Sequence, residues 1–351
     1  MKVTIINIIG VLIIYQSLIF VFTLLLKKKD KPLFVKVLIS FCLLIIFHFT
    51  YMFLEMKNII NFTYFGPLFG LIYGPIYLVY TKSLIFQGLD FKKIALHFIP
   101  AAFTFFGLIF YNNDVFNVIE TIGLSVSIHY IIYLTIALNL LYKYRIRLKT
   151  TTSSFYNISL FWLEILIYLQ FSIICLILLE SYFQSSFIKD NLVLAIYSLT
   201  LIIINCFYYL GLKQVRLFKG FKEGNTKAKK SASEYTISED LFNSYVDKIN
   251  DYFEQEKPYL EFDISLKELS IKLSISSRNL SHVINKKFQK NFYDFINHHR
   301  LKLVKQSLRS SNKPIKEIMY NCGFSNKATF NYIFKKSTGL TPTQYREKQK
   351  T

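Results

Sequence analysis

Long apolar segments alternate with short polar ones over the first 212 residues of this 351-residue chain. A helix needs about 20 apolar residues to cross the hydrocarbon core of a bilayer, and segments close to this length recur seven times. They are Val3–Leu26, Leu33–Leu54, Phe62–Ile85, Ile94–Tyr111, Ile122–Tyr142, Ile158–Leu179 and Leu192–Leu212. Stretches such as LIIFHFTYMFL lack the polar stripe that a helix on a soluble core would show. The pattern therefore predicts a bundle of seven transmembrane helices.

After residue 235 the pattern changes to short amphipathic helices separated by turn residues. Ser238 is expected to cap a helix that ends near Gln255, and Ser265 and Glu268 have the spacing of a capping box. Two short helices with a turn at residues 275–277 follow, and their predicted buried positions are Leu266, Leu269, Leu273, Leu280, Val283, Ile284 and Phe288. Helices joined in this way are typical of a helix-turn-helix, whose second helix enters the major groove of DNA.

The same arrangement recurs after a linking helix at residues 292–310. Pro314 lies in a first turn, residues 323–325 form a turn, a helix runs to about Ser337, and Thr341 begins a last helical turn. One such unit alone is weak evidence, because many helical cores contain paired helices. Two units with one linking helix are far more specific. The predicted fold is all-α: a seven-helix transmembrane domain (1–212), a basic flexible linker (213–235) and a domain with two helix-turn-helix units (236–351).

The chain is strongly basic, with a formal net charge of +20. From Ser270 to the C-terminus, 17 Lys and Arg residues stand against three acids, Asp294, Glu317 and Glu347. Such an excess on a compact domain favours a polyanionic partner. A lysine-rich solvated surface explains the charge alone equally well.

Lys and Arg also indicate the direction of the apolar segments, because cytoplasmic loops are enriched in them. The loops after the first, third, fifth and seventh segments each hold two to four of these residues. The three loops between them hold only Lys57, none and Lys189. The N-terminus is therefore expected outside the cell and the basic C-terminal domain in the cytoplasm, the compartment that holds DNA.

Ionisable side chains are costly inside a bilayer and usually face the interior of the bundle, so each is a candidate for a site. Glu164, His48 and His129 are the candidates for an intramembrane signal site. Glu164 lies toward the cytoplasmic side of its segment and His48 toward the outer side of its own, so the three need not meet.

Gly66, Gly70 and Gly74 have small-xxx-small spacing. This spacing favours close helix packing over a ligand site on a broken helix. The four cysteines show neither metal-ligand spacing nor a disulfide framework, and the chain carries no motif for phosphate or nucleophile chemistry. We therefore expect no catalytic residues, no cofactor and no metal site.

Over roughly its last hundred residues the chain resembles the AraC/XylS-type transcription regulators. The resemblance rests on ISLKELSIKLSISSRNLSHVI, on the linking FYDFINHHRLKLVKQSL and above all on GF…TFNYIFKKSTGLTPTQYR. The chain also looks like the membrane-tethered members of that family, in which a multi-span half precedes the regulator. This looser similarity is carried mainly by GPIYLVYTKSL.

The resemblance implies that two recognition helices enter successive major grooves on one face of double-stranded DNA. It assigns to base edges Arg278, Ser281 and His282 in the first helix, and Lys327, Thr329, Asn331 and Tyr332 in the second. The lysines that follow each helix suit phosphate contacts, and a solvated helix end explains them equally well; they are Lys286, Lys287, Lys335 and Lys336.

These features predict a sequence-specific DNA-binding transcription regulator in the inner membrane of a bacterium, and no enzyme. Anchoring needs one span, so seven favour a one-component sensor of a signal outside or within the bilayer, whose ligand is unknown. The alternatives are a membrane transporter or enzyme with a nucleic-acid-binding regulatory tail, and a regulator with a passive anchor. Expected partners besides DNA are membrane lipid, a second copy of the chain in a homodimer and, for an activator, RNA polymerase.

Overall fold

The computed structural model describes residues 2–26, 31–59, 66–86, 89–110, 116–153, 159–183, 185–218 and 237–349. Every regular element within these ranges is a helix, in agreement with the predicted all-α class. The chain divides into two compact units. The first comprises Met1–Tyr142 and Leu160–Gly220, and the second comprises Lys143–Ser159 and Phe221–Thr351.

The described helices of the apolar half begin and end as follows. They are α1 (Lys2–Leu26), α2 (Leu33–Met56), α3 (Gly66–Ile85), α4 (Phe91–Leu96), α5 (Ile99–Phe110), α6 (Phe116–Thr151), α7 (Phe161–Tyr182) and α8 (Ser186–Phe218). Because α8 continues to Phe218, the first part of the predicted linker is helical. The rest of that linker, from residue 219, lies outside the described residues.

Within the described ranges, six helices are long and apolar enough to cross a membrane. These candidate spans are Ile5–Leu26, Leu33–Met56, Leu68–Ile85, Gly123–Thr151, Phe161–Tyr182 and Ser186–Gly211. They overlap six of the seven predicted segments. The remaining segment, Ile94–Tyr111, is divided between the short helices α4 and α5.

The break between α4 and α5 has a local cause. The His97 and Phe98 N–H groups donate to carbonyls three residues back, at 3.1 and 3.0 Å, which tightens the chain into a turn. Pro100 follows in the first turn of α5. Proline has no N–H to continue the ladder of α4, and its fixed φ suits the start of a new helix.

Two of the three spaced glycines bring α3 and α6 close together. A Cβ on Gly70 would lie 2.4 Å from Cγ1 of Val126, and one on Gly74 would lie 3.0 Å from Cβ of Tyr133. A Cβ on Gly66 would meet no described atom within 4 Å. The spacing therefore serves close helix packing at Gly70 and Gly74.

The second unit contains the amphipathic helices. They are α9 (Glu239–Gln255), a 3-10 turn (Pro258–Leu260), α10 (Leu266–Lys272), α11 (Ser277–Phe288), α12 (Phe292–Ser310), α13 (Ile315–Asn321), α14 (Lys327–Thr338) and α15 (Pro342–Lys348). We call α10 and α11 the first helix pair, and α13 and α14 the second helix pair; α12 links the two. Segment 143–159 joins this unit through Ser153, whose N–H and hydroxyl both donate to the Ile264 carbonyl, at 3.2 and 2.8 Å.

The core of the second unit confirms the buried faces that the sequence predicts. Six predicted positions of the first helix pair are buried, and Phe288 is partly buried; the six are Leu266, Leu269, Leu273, Leu280, Val283 and Ile284. Phe253 of α9 and Phe295 of α12 complete this core, with their ring centroids 5.0 Å apart. In the second helix pair, Phe330 and Phe334 are 1% and 0% exposed, so this pair also has an apolar face.

Side-chain caps mark where several helices of the second unit begin. The predicted capping box is confirmed: Ser265 N–H donates to Glu268 Oε2 at 2.8 Å, and Glu268 N–H donates to Ser265 Oγ at 3.2 Å. Thr341 and Gln344 form a second capping box at α15. Ser238 occupies the predicted N-cap position of α9, but its side chain makes no capping hydrogen bond, so the residue marks the helix start by position alone.

Candidate functional site

The first helix pair presents a polar face formed by α11. Ser276 caps this helix, since its Oγ accepts a hydrogen bond from Asn279 N–H at 3.1 Å. Leu280, Val283 and Ile284 turn one side of α11 into the core. Arg278, Ser281 and His282 have i, i+3, i+4 spacing and therefore lie together on the opposite side, with Arg278 exposed.

Phe242 of α9 reaches this polar face. Its ring meets the His282 ring edge-on, with centroids 6.2 Å apart, and the Lys286 Nζ lies 5.2 Å from the Phe242 ring centroid. A predicted base-reading residue and a predicted phosphate contact therefore share one aromatic neighbour, which restricts the orientations of both. Lys287 is exposed beside them.

The second helix pair forms a depression of about 550 Å³. Its described lining residues come from α13, α14 and the start of α15; they are Ile315, Lys316, Met319, Lys327, Phe330, Asn331, Tyr332, Lys335, Thr341, Pro342 and Thr343. Four predicted DNA-contacting residues, Lys327, Asn331, Tyr332 and Lys335, are thus brought together. Tyr332 is 54% exposed, so its ring is available at the surface.

The chemistry of this depression suits an anion. Lys316, Lys327 and Lys335 supply positive charge, and no carboxylate is among the described lining residues. Phe330 and Met319 are each 1% exposed and supply an apolar floor. Positive side chains around a concave surface attract phosphate groups.

Two predicted residues of the second helix pair lie apart from this lining. The Thr329 N–H donates to the Asn326 side chain at 3.0 Å, which caps α14, and Lys336 is exposed near the end of the helix. Lys316 and Thr343 line the depression although the sequence argument did not assign them. Lys316 lies on α13, the first helix of its pair. The sequence prediction assigned DNA contacts in this pair only to α14, so it missed this residue.

The three candidate residues of the apolar half have separate surroundings. His48 Nδ1 lies 2.8 Å from the Tyr73 hydroxyl, whereas the His129 ring contacts Tyr133, with centroids 4.8 Å apart. Glu164 lies in the first turn of α7. The described contacts of His48 and His129 are therefore with different tyrosines, one on α3 and one on α6.

A buried polar network joins α3, α6 and α7 of the first unit. Gln170 of α7 accepts a hydrogen bond from the Tyr130 hydroxyl at 2.9 Å and donates to the Tyr77 hydroxyl at 2.8 Å. The three residues are 8%, 8% and 1% exposed, for Gln170, Tyr130 and Tyr77. Buried polar groups cost free energy unless paired, so this network favours one arrangement of α3, α6 and α7. Within the described ranges, no group of three His, Cys, Asp or Glu side chains could hold a metal ion.

The second unit is similar in sequence to known proteins. Residues 269–348 match the family described as a helix-turn-helix domain. The chain is 35% identical over 72 residues to the HTH-type transcriptional regulator YijO of Escherichia coli K12, covering 20% of this chain and 25% of that protein. It is 31% identical over 112 residues to the HTH-type transcriptional regulator SACOL0084 of Staphylococcus aureus COL, covering 32% of this chain and 15% of that protein.

The probable transcriptional regulator LumQ of Photobacterium leiognathi is 28% identical over 97 residues, covering 28% of this chain and 38% of LumQ. The chain therefore spans well under half the length of each of these relatives. The family model, over residues 269–348, covers α11 to α15 and all but the first three residues of α10. The C-terminal part of the chain is therefore a helix-turn-helix domain of the AraC type, as transcriptional regulators carry it.

Proposed function

We propose that the protein is a membrane-bound transcription regulator that binds double-stranded DNA sequence-specifically through its second unit. The observation that carries this proposal is the depression of the second helix pair, where Lys316, Lys327 and Lys335 surround an apolar floor. A domain of the helix-turn-helix type provides the scaffold that places such a surface against a groove.

Each helix pair acts as one helix-turn-helix unit, and α11 and α14 enter successive major grooves. Bases are read by Arg278, Ser281 and His282 on α11 and by Lys327, Thr329, Asn331 and Tyr332 on α14. Phosphates are contacted by Lys286, Lys287, Lys335 and Lys336, which fix the register of the domain without reading sequence. Lys316, which lines the depression, is a fifth phosphate-contacting lysine.

The apolar half crosses the bacterial inner membrane seven times, with the N-terminus outside and the DNA-binding unit in the cytoplasm. Six described helices of sufficient length and apolarity support this proposal, and α4 with α5 supplies the seventh crossing. The alternation of basic and non-basic loops supports the orientation.

The apolar half senses a signal and shifts between two helix packings. The hydrogen bonds of Gln170 to Tyr130 and Tyr77 support this proposal, because they hold α3, α6 and α7 together. Movement of one of these helices away from the others breaks at least one buried hydrogen bond. A ligand shifts such an equilibrium only by its differential affinity for the two states. Glu164, His48 and His129 are the polar groups that it could contact.

The test is DNA binding by the full chain in lipid nanodiscs. Log affinity should fall by about 0.9 for each phosphate contacted per log unit of salt, so the five proposed lysine contacts give a slope of about −4.5. Selection from random duplexes at physiological salt should enrich one sequence motif. Affinity that does not change between dilute and physiological salt would contradict the proposed function.

A further inference from the structure

Arg300 is a basic residue that points into the protein. It lies in the middle of α12 and is 2% exposed. Its Nε donates to the Tyr259 carbonyl at 2.7 Å, and one terminal nitrogen donates to the carbonyls of Glu261 at 2.6 Å and Phe262 at 3.4 Å. These carbonyls belong to the 3-10 turn and to the segment that leads into the first helix pair.

The same guanidinium also contacts the turn of the second helix pair. Its carbon lies 5.6 Å from the Phe324 ring centroid. The preceding residue, Gly323, has a φ of +83°, and a Cβ there would lie 2.5 Å from the Tyr259 oxygen and 3.0 Å from Arg300 Nε. Glycine is therefore required at this turn, because only a residue without a side chain lets the two segments meet around Arg300.

Burial of this charge is compensated by fixed partners. Burial lowers the pKa of the Arg300 guanidinium to about 10, while Tyr293 and Asp263 act in the opposite direction, so the group is charged at neutral pH. Burial also lowers the pKa of the adjacent His299 to about 4, which leaves that neighbour neutral. A buried charge that lost its hydrogen-bond acceptors would be strongly destabilising, so the junction favours one geometry.

We propose that Arg300 is a positioning residue that fixes the first and second helix pairs relative to each other, and so determines the half-site spacing that the domain accepts on DNA. This inference rests on the proposed function. A planar guanidinium can bond several carbonyls and lie on a ring at once, whereas a lysine ammonium is a point charge without that fork. Arg300→Lys therefore keeps the positive charge and removes the planar fork that bonds several carbonyls at once.

The experiment uses the full chain in nanodiscs and a panel of duplexes whose two half-sites are separated by the selected spacing or by two more or two fewer base pairs. Two base pairs turn one half-site about 70° around the helix axis, since a full turn takes about 10 base pairs. A rigid domain then loses base contacts at one site, and the native chain should bind the altered duplexes about 20-fold more weakly. Arg300→Lys should reduce this discrimination to about threefold.

Arg309→Lys is the matched control, because it makes the same substitution on the same helix. Arg309 donates to the Tyr345 hydroxyl at 2.9 Å and lies 5.8 Å from that ring centroid, so its described contacts join α12 to the C-terminal helix α15. Its substitution should leave the spacing preference unchanged. A general loss of packing would weaken both helix pairs, so binding to duplexes with a single half-site separates this effect from a change in spacing.

Hydrogen exchange in α12 and α14 shows whether Arg300→Lys is folded. If Arg300→Lys is not folded, Phe324→Leu provides the test. This variant keeps an apolar side chain and removes the ring on which the guanidinium lies, so its discrimination between half-site spacings should fall to an intermediate value. A folded variant at position 300 or 324 with the native spacing profile would overturn the role of Arg300. Absence of DNA binding by the native chain would instead contradict the proposed function.

Discussion

Arg278 is exposed in the first turn of α11, where the polar face of the helix begins. Arginine reads guanine through two hydrogen bonds to its major-groove edge. Arg278→Ala should therefore cost roughly 1–3 kcal/mol of binding free energy at one base pair and relax the preference there. Selection on random DNA, compared between the native chain and the variant, measures this effect.

Arg309→Ala is a suitable control for Arg278→Ala, because it removes the same charge from the linking helix. The control should lower affinity by little and leave the selected motif intact. If Arg278→Ala selects the same motif with the same preferences as the native chain, the residue does not read a base.

Lys335 and Lys336 are both exposed near the end of α14, and we assign both to phosphate contacts. The double change Lys335→Ala and Lys336→Ala should weaken binding alike for all sequences and reduce the salt slope by about two. Lys272→Ala is the control, because Lys272 already forms an ion pair with Glu261. A selective loss of one motif in the double variant would mean that these lysines take part in reading sequence.

The side chains on the polar face of α11 follow from helical spacing, but their neighbours do not. Phe242 lies on α9 and His282 on α11, and the 3-10 turn and α10 lie between these helices in the sequence. The ring contact therefore depends on tertiary packing that no local pattern encodes. Arg300 shows the same limit more sharply. It counts among the basic residues of the domain, yet its charge is directed at backbone carbonyls that the chain brings together only on folding.

At the scale of elements, the spaced glycines of α3 allow a direct test of packing. Gly70→Ala would place a Cβ 2.4 Å from a methyl group of the buried Val126, whereas Gly66→Ala meets no described atom within 4 Å. Overpacking of this kind costs typically about 1–3 kcal/mol. Gly70→Ala should therefore lower the thermal unfolding temperature of the full chain in detergent.

Gly66→Ala provides the matched control in the same helix. Alanine has the higher helix propensity, so this variant should unfold at the native temperature or slightly above it. Equal unfolding temperatures for the two variants would mean that α3 and α6 adjust without cost, and that the glycine spacing does not determine their packing.

Element boundaries could be predicted where a local signal is strong. The capping box at Ser265 and the apolar periodicity of α10 and α11 are such signals, and both are confirmed. The segment Ile94–Tyr111 is different, because its apolar residues predict one continuous helix and the chain forms two. Pro100 interrupts the backbone hydrogen bonds there, and the mean apolarity of a segment carries no information about a missing N–H.

At the scale of the whole molecule, the sequence predicts an apolar half and a basic half. The chain divides into two compact units, and the second includes Lys143–Ser159 from within the predicted apolar half. The buried network of Gln170, Tyr130 and Tyr77 could not be predicted, because its members lie on three helices that no periodicity pairs. Such a network gives the apolar half a specific packed state. A passive anchor has no need of one, since a single helix holds a domain at a membrane.

Replacement of the apolar half therefore distinguishes a sensor from an anchor. Residues 1–211 are exchanged for an unrelated single-span anchor that leaves the DNA-binding unit in the cytoplasm. Because the helix pairs and α12 are retained, the chimera should occupy the same DNA sites; without the helices that a signal could rearrange, its occupancy should no longer vary with conditions. The measurement is genome-wide occupancy of both chains across several growth media. Occupancy of the chimera that varies between media as the native chain's does would assign the apolar half to anchoring alone.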